Sequence, residues 1–194
     1  NGDFKIVGTD RVVPFRSVAE KAAGENSVAF DEKETFAPEE ATYPNGTHVC
    51  ELEIDMATGE IELVDYTVVD DFGRVINPLL LEGQVHGGIA QGLGQAILES
   101  CQYESGSGQL LSASFMDYTM PRADDFPAIR FKRNEVPCET NPLGIKGAGE
   151  AGAIGAPPAI VNAIVNALSD HGIRHVDMPV SPNKVWDILQ NVSV

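Results

Sequence analysis

The sequence predicts an α+β fold in which packed helices cover a mixed β-sheet, and three observations carry that expectation. A period-two hairpin occupies 47–70, isolated β runs follow at 112–118 and 129–136, and amphipathic helical stretches are interleaved with them. The hairpin and the lone β runs argue against the clean strand-helix alternation of a doubly wound parallel sheet. The 194 residues suffice for one domain with a sizeable core, at roughly 100–200 residues per domain.

Taken in order, 5–8 reads as a short strand followed by a turn at Thr9-Asp10. A helix is expected from Pro14 to a stop at Gly24, the usual placing of proline before and glycine after a helix. Residues 25–46, rich in acids and containing Pro38, Pro44 and the Asn45-Gly46 turn signal, read as a solvated connector. In the hairpin, Cys50, Leu52, Ile54 and Met56 alternate with Val49, Glu51, Glu53 and Asp55, and Ala57-Thr58-Gly59 supplies the turn. Asn77-Pro78 starts a turn toward a helix over 83–99, where Val85, Ile89, Leu93, Ala96 and Ile97 share one face. Its glycines at 87, 88, 92 and 94 sacrifice about 1 kcal/mol each relative to alanine. They report close approach, either of a neighbouring backbone or of a large cofactor. A further helix is expected from Pro157-Pro158, burying Ile160, Val161, Ile164, Val165 and Leu168 before His171-Gly172 ends it. The last helix has Ser181 as N-cap, Pro182 at its first position and Val185, Trp186 and Leu189 as its buried side.

Composition narrows the function. With 13 Lys plus Arg against 29 Asp plus Glu, the net charge of −16 repels a phosphate backbone, so no nucleic-acid partner is expected. No apolar run approaches the length of a membrane span, so no membrane insertion is expected either. The first residues lack the features of a signal peptide, and the chain lacks an initiator methionine, which suggests a fragment or a processed subunit. Cys50, Cys101 and Cys138 are odd in number and widely spaced. They predict reduced thiols in the cytoplasm rather than a disulfide framework, a metal clip or an iron–sulfur cluster held by this chain alone.

The most informative segment is the glycine-rich stretch Asn141-Pro142-Leu143-Gly144-Ile145-Lys146-Gly147-Ala148-Gly149-Glu150-Ala151-Gly152. It fails as a phosphate loop because glycine follows Lys146 where Ser or Thr is needed. It is weak as a dinucleotide fingerprint because no clear strand precedes it. It does offer one carboxylate, Glu150, among residues with almost no side chains, where a bulky ligand could approach. Glu150 is either a general base or an acidic residue favoured by the dipole of the following helix.

Two long motifs in order, the 144–152 loop and Glu82-Gly83-Gln84-Val85-His86-Gly87-Gly88-Ile89-Ala90-Gln91-Gly92-Leu93-Gly94, resemble the C-terminal part of the molybdenum-binding subunit of the molybdenum hydroxylases. That family contains the xanthine dehydrogenases, aldehyde oxidases and carbon monoxide dehydrogenases. Further matches are Tyr43-Pro44-Asn45-Gly46-Thr47-His48-Val49, Val69-Asp70-Asp71-Phe72-Gly73-Arg74-Val75-Ile76-Asn77-Pro78, Phe115-Met116-Asp117-Tyr118 and His175-Val176-Asp177-Met178-Pro179. The resemblance implies that 1–194 is the C-terminal portion of a molybdenum cofactor-binding domain. It implies that Glu150 is the general base and that Gln84 hydrogen-bonds the pyranopterin beside the backbone of Lys146, Gly147, Ala148 and Gly149. The implied cofactor is a molybdenum-pyranopterin, as molybdopterin or its cytosine dinucleotide, held through the pterin, so no protein metal ligand is expected. The implied partners are the remainder of the subunit, iron–sulfur and flavin (FAD) subunits or domains, and a small-molecule substrate. The implied reaction is hydroxylation of an aldehyde, N-heterocycle or related carbon with oxygen from water, and a noncatalytic scaffold derived from the same fold is the alternative. Ala151-Gly152 after the base is closer to the carbon monoxide dehydrogenase-like branch than to eukaryotic xanthine dehydrogenases, which have Pro-Pro there. On the residues alone, His48, His86, His171 and His175 are surface or packing histidines.

Overall fold

The structure is a computed structural model that describes residues 2–25, 33–38 and 40–191. The chain divides into two compact units, Asn1–Pro38 and Glu39–Val194, with the division inside the 25–46 connector. The parts of that connector at 26–32 and 39 lie outside the described residues.

In the first unit, β1 (Asp3–Lys5) pairs antiparallel with β2 (Val12–Pro14), and α1 (Phe15–Glu25) follows directly. The strand expected at 5–8 is thus shifted toward the N-terminus, because Gly8 at φ 83° belongs to the turn that joins β1 to β2. Pro14 closes β2 instead of opening the helix, and α1 runs one residue past Gly24.

In the second unit, β3 (Asn45–Ile54) and β4 (Ile61–Asp71) form the expected hairpin, and β5 (Ile129–Arg133) joins β4 in parallel, giving the order β3-β4-β5. The sheet is therefore mixed. Glu51 lies opposite Asp65 and Leu52 opposite Leu63, so Val64 is an extra residue on β4. That bulge switches the inward phase from Ile61 and Leu63 to Tyr66, Val68 and Asp70, which simple alternation does not anticipate. The strand expected at 112–118 does not form. Ser114 closes a local turn there, its carbonyl accepting from Asp117 and Tyr118 N–H and its hydroxyl donating to Asp117, and this leaves Phe115 and Met116 exposed.

Helix α2 (Pro78–Leu93) begins five residues before the expected 83, because Asn77 and Pro78 are themselves its start. Asn77 Oδ1 accepts from Leu80 N–H at 3.1 Å, and Pro78 sits where its missing N–H costs nothing. The helix continues as a π turn, Gly94–Leu98, and the Ala96 carbonyl accepts from Val180 N–H. Helix α3 (Ala151–Ala167) also starts earlier than expected, so Pro157 and Pro158 lie inside it rather than at its head. Neither proline can donate to the carbonyl one turn back, and close packing of the helix offsets that loss. Helix α4 (Pro182–Asn191) has the expected start, with Val185 N–H donating to Ser181 O. Trp186, expected to be buried, is 43% exposed. The hairpin turn lies against the first turn of α4: Gly59 has φ 78°, and a Cβ there would fall 2.2 Å from Pro182 O and 2.8 Å from Trp186 N.

The core follows helical spacing closely. Leu81, Val85, Ile89 and Leu93 of α2 and Ala156, Ile160 and Ile164 of α3, with Leu168 at its C-cap, are buried at every fourth position, in one core with Tyr66 and Val68 of β4 and Phe72 just beyond it. Helix α3 packs on β3, and α2 packs on α3. The outcome for the α2 glycines is now specific. A Cβ at Gly88 would lie 2.9 Å from Gly152 Cα, and one at Gly92 would lie 2.7 Å from Ala156 Cβ, so these two serve helix packing. A Cβ at Gly87 would meet nothing within 4 Å.

Candidate functional site

The C-terminal end of β4, the N-terminal half of α2 and the loop before α3 converge on one groove of about 440 Å³. Gln84 on α2 and Lys146, Ala148 and Gly149 of the loop line it, together with Phe72, Arg74, Asn77 and Leu80. The groove lies just beyond the carboxyl end of β4, where the chain leaves the sheet through Phe72 and Arg74.

Gln84, Gly88 and Gly92 recur at four-residue intervals on the side of α2 that faces α3. At the head of this stripe, Gln84 Nε2 donates to Gly149 O at 3.0 Å, tying α2 to the loop one residue before Glu150. The loop is fastened from the other side by Lys146. Its backbone N–H donates to Phe72 O, and its ammonium meets Asp71 Oδ2 at 2.5 Å, with only 13% of that side chain exposed. Lys146 therefore turns its charge into the protein and leaves its backbone as the part that fronts the groove.

Asp71 is the anchor that inspection of the sequence missed. Its Oδ1 accepts from Gly73 and Val136 N–H, at 2.8 and 3.0 Å, and Oδ2 takes Lys146. Burial alone would raise its pKa, but the hydrogen bond from Lys146, the two amides and the Lys146 charge together outweigh it and hold the carboxyl below the ordinary value. The Asp70-Asp71-Phe72-Gly73 string carried the signal, since an acid two residues before a glycine is a common side-chain cap of a turn.

Glu150 is the N-cap residue of α3, yet its side chain makes no capping bond. Both carboxylate oxygens are thus uncommitted to the helix, and the side chain is exposed at the edge of the loop. The two readings of Glu150 meet in one place: it sits at the positive end of α3 and next to the groove-lining Gly149.

Residues 1–127 match the family described as the molybdopterin cofactor-binding domain. The chain belongs to that family. The molybdopterin-binding domain is 35% identical over 155 residues to the carbon monoxide dehydrogenase large chain of Hydrogenophaga pseudoflava, covering 80% of this chain and 19% of that one. It is 33% identical over 199 residues to the 6-hydroxypseudooxynicotine dehydrogenase complex subunit gamma of Paenarthrobacter nicotinovorans, covering 99% and 25%. In three dimensions it is similar to quinoline 2-oxidoreductase from Pseudomonas putida 86, with a TM-score of 0.86 and 33% identity over 98% of this chain and 25% of that one. The molybdopterin-binding domain spans between 19% and 25% of the length of these relatives.

The groove suits a pyranopterin on its own chemistry. Among the described residues, the N–H groups of Gly147, Ala148 and Gly149 donate to no protein acceptor, and a Cβ at Gly147 or Gly149 would meet nothing within 4 Å. A flat, polar-edged heterocycle needs such open backbone donors plus an amide like that of Gln84. Among the described residues no group of three or more His, Cys, Asp or Glu is placed to hold a metal ion, and no helix is long and apolar enough to cross a membrane. Cys50, Cys101 and Cys138 are free thiols.

Proposed function

We infer that this chain forms one wall of the cofactor site of a molybdenum-dependent hydroxylase and supplies its general base, Glu150. The observation that carries the reading is the uncommitted Glu150 carboxylate, one residue beyond the Gln84–Gly149 hydrogen bond on the rim of the groove. Gln84 and the backbone of Lys146, Gly147, Ala148 and Gly149 would hold the pyranopterin, and the Lys146–Asp71 pair fixes that backbone from below. When bound, the molybdenum-pyranopterin supplies the two-electron redox chemistry, which the protein alone cannot provide.

The work of the chain is positioning and proton transfer. Glu150 would take the proton from the water-derived oxygen as that oxygen bonds to an electron-poor carbon of an aldehyde, an N-heterocycle or a related small molecule, while the hydrogen on that carbon leaves with its bonding electron pair, which the cofactor would accept. The remainder of the molybdenum-binding subunit covers the open side of the groove, and iron–sulfur and flavin subunits in the cytoplasm carry the electrons away. In the assembled enzyme, Glu150→Gln is expected to keep molybdenum content and fold while lowering turnover by about 100-fold or more. Near-normal turnover in that variant would remove Glu150 from the role.

A further inference from the structure

The Tyr43–Val49 motif contributes nothing to the groove, yet it contains the most tightly held histidine of the chain. His48 on β3 points under α3, with 8% of its side chain exposed. Its Nδ1 lies 2.8 Å from the Tyr66 hydroxyl and its Nε2 lies 3.6 Å from Asp70 Oδ1. Tyr66 is 0% and Asp70 3% exposed. The phenol ring stands edge-on to the imidazole, with ring centroids 5.8 Å apart. Above the imidazole is Gly155, where a Cβ would come within 2.5 to 2.6 Å of three ring atoms. The ring thus fills the whole space between β3 and the backbone of α3.

Gly155 lies one turn beyond Glu150, whose carbonyl accepts from Ile154 N–H. On its other side the same stretch of helix is clamped by α2, because a Cβ at Gly152 would fall 2.5 Å from Val85 O and 2.8 Å from Ile89 N. Helix α2 fixes these turns laterally, and His48 supports them from the sheet. Resting on the general-base reading of Glu150, we propose that His48 is a positioning residue: held by Tyr66 and Asp70, its imidazole sets the height of the first turns of α3 and so the place of the Glu150 carboxylate. A base displaced by about 1 Å loses roughly 100-fold in rate even when the base itself is intact.

The test uses the assembled enzyme with four single variants and one double variant. Gly155→Ala drives a methyl group into the ring, and His48→Ala removes the support. Each is expected to lower kcat roughly 10-fold to 100-fold with KM and molybdenum content unchanged, and to speed amide exchange at Ile154. Combining them gives the new methyl group the space of the lost ring, so the double variant should recover part of both kcat and exchange protection. Tyr66→Phe removes only the hydroxyl that orients the ring, keeps the fold if the other variants do not, and should lower kcat several-fold at unchanged KM. Val185→Ala, a core truncation in α4, controls for lost stability and should leave kcat as it is. Additive losses in the double variant, or kcat that follows melting temperature through Val185→Ala as well, would overturn the role of His48. If Glu150→Gln retains turnover, the base assignment falls instead, and the exchange at Ile154 with its recovery in the double variant still decides whether His48 sets the height of α3.

Discussion

A pair of glycine-to-alanine substitutions tests the packing of α2 against α3 with opposite signs. Both positions are helical, so each alanine gains about 0.5–1 kcal/mol of helix propensity. At Gly87 that gain stands alone, because the added Cβ meets nothing within 4 Å. At Gly152 the Cβ would sit 2.5 Å from Val85 O, 2.8 Å from Ile89 N and 3.0 Å from Gly88 C, roughly 1 Å inside ordinary contact for the first of these. All three atoms belong to the backbone of α2, so no rotamer change relieves the overlap and one helix must move. Overpacking costs about 1–3 kcal/mol, and a backbone overlap that no rotamer relieves belongs to the upper part of that range, about 2–3 kcal/mol, so the net loss should be about 1–2 kcal/mol once about 1 kcal/mol of propensity is returned. For a chain of this size that corresponds to a fall in Tm of roughly 2–8 °C for Gly152→Ala, against a rise of about 1–4 °C for Gly87→Ala. Thermal and urea unfolding of both variants measure this. Equal signs, or a Gly152→Ala protein as stable as the parent, would refute the account of why the α2 glycines are there.

Three further outcomes are expected. Because the Asp71 pKa is lowered in the folded protein, its stabilisation is complete above the unfolded carboxyl value of about 3.9 and is lost as pH falls through the lower folded value. Lys146→Met should cost about 1.5–3 kcal/mol at pH 7 and flatten the acid limb of a stability-against-pH curve. Thiol alkylation should separate the cysteines at pH 8: burial, then the Asp65 charge, pushes Cys50 up to about 11, while the Thr140 hydrogen bond lowers Cys138, so mass spectrometry should find Cys138 labelled well before Cys50. The purified chain should fold but carry no stoichiometric molybdenum, since the groove is open on one side; elemental analysis showing molybdenum near one per chain would contradict that.

The mixed sheet, the hairpin and the α2 and α3 stripes were legible because each depends on periodicity, which the chain shows directly. What was not legible depends on contacts between segments distant in sequence. The bulge at Val64 is fixed by pairing with β3, and the run at 112–118 forms no strand because Ser114 offers its backbone and hydroxyl to a local turn. The start of α2 is hidden because Asn77-Pro78 has the signature of a turn, and that of α3 because proline is usually the first residue of a helix, whereas Pro157 and Pro158 lie midway in α3, where glycine and alanine let two backbones meet. Of the site, Gln84, Glu150 and the loop came from motifs. Asp71 and His48 also lie in matched motifs, but their roles rest on partners, Lys146 and Gly155, that lie far along the chain.

The energetics of the site explain why it is built from small residues. Glycine in α2 and α3 gives up helix propensity, yet it lets two helix backbones touch directly, without intervening side chains that could change rotamer. On the reading proposed above, the Glu150 carboxylate at the end of such a helix inherits the stiffness of the contact. The loop beside it is tied by Gln84 to α2 and by Lys146 to the end of β4, so the groove's floor and the carboxylate refer to the same rigid frame. A general base at Glu150 would gain from that rigidity, because rate depends steeply on the placement of the reacting groups. The open face, lipped by the exposed Ile76, Leu79 and Leu80, is apolar and adjoins the groove. Surface of this kind around a groove is what a covering domain buries when it closes a cofactor against water.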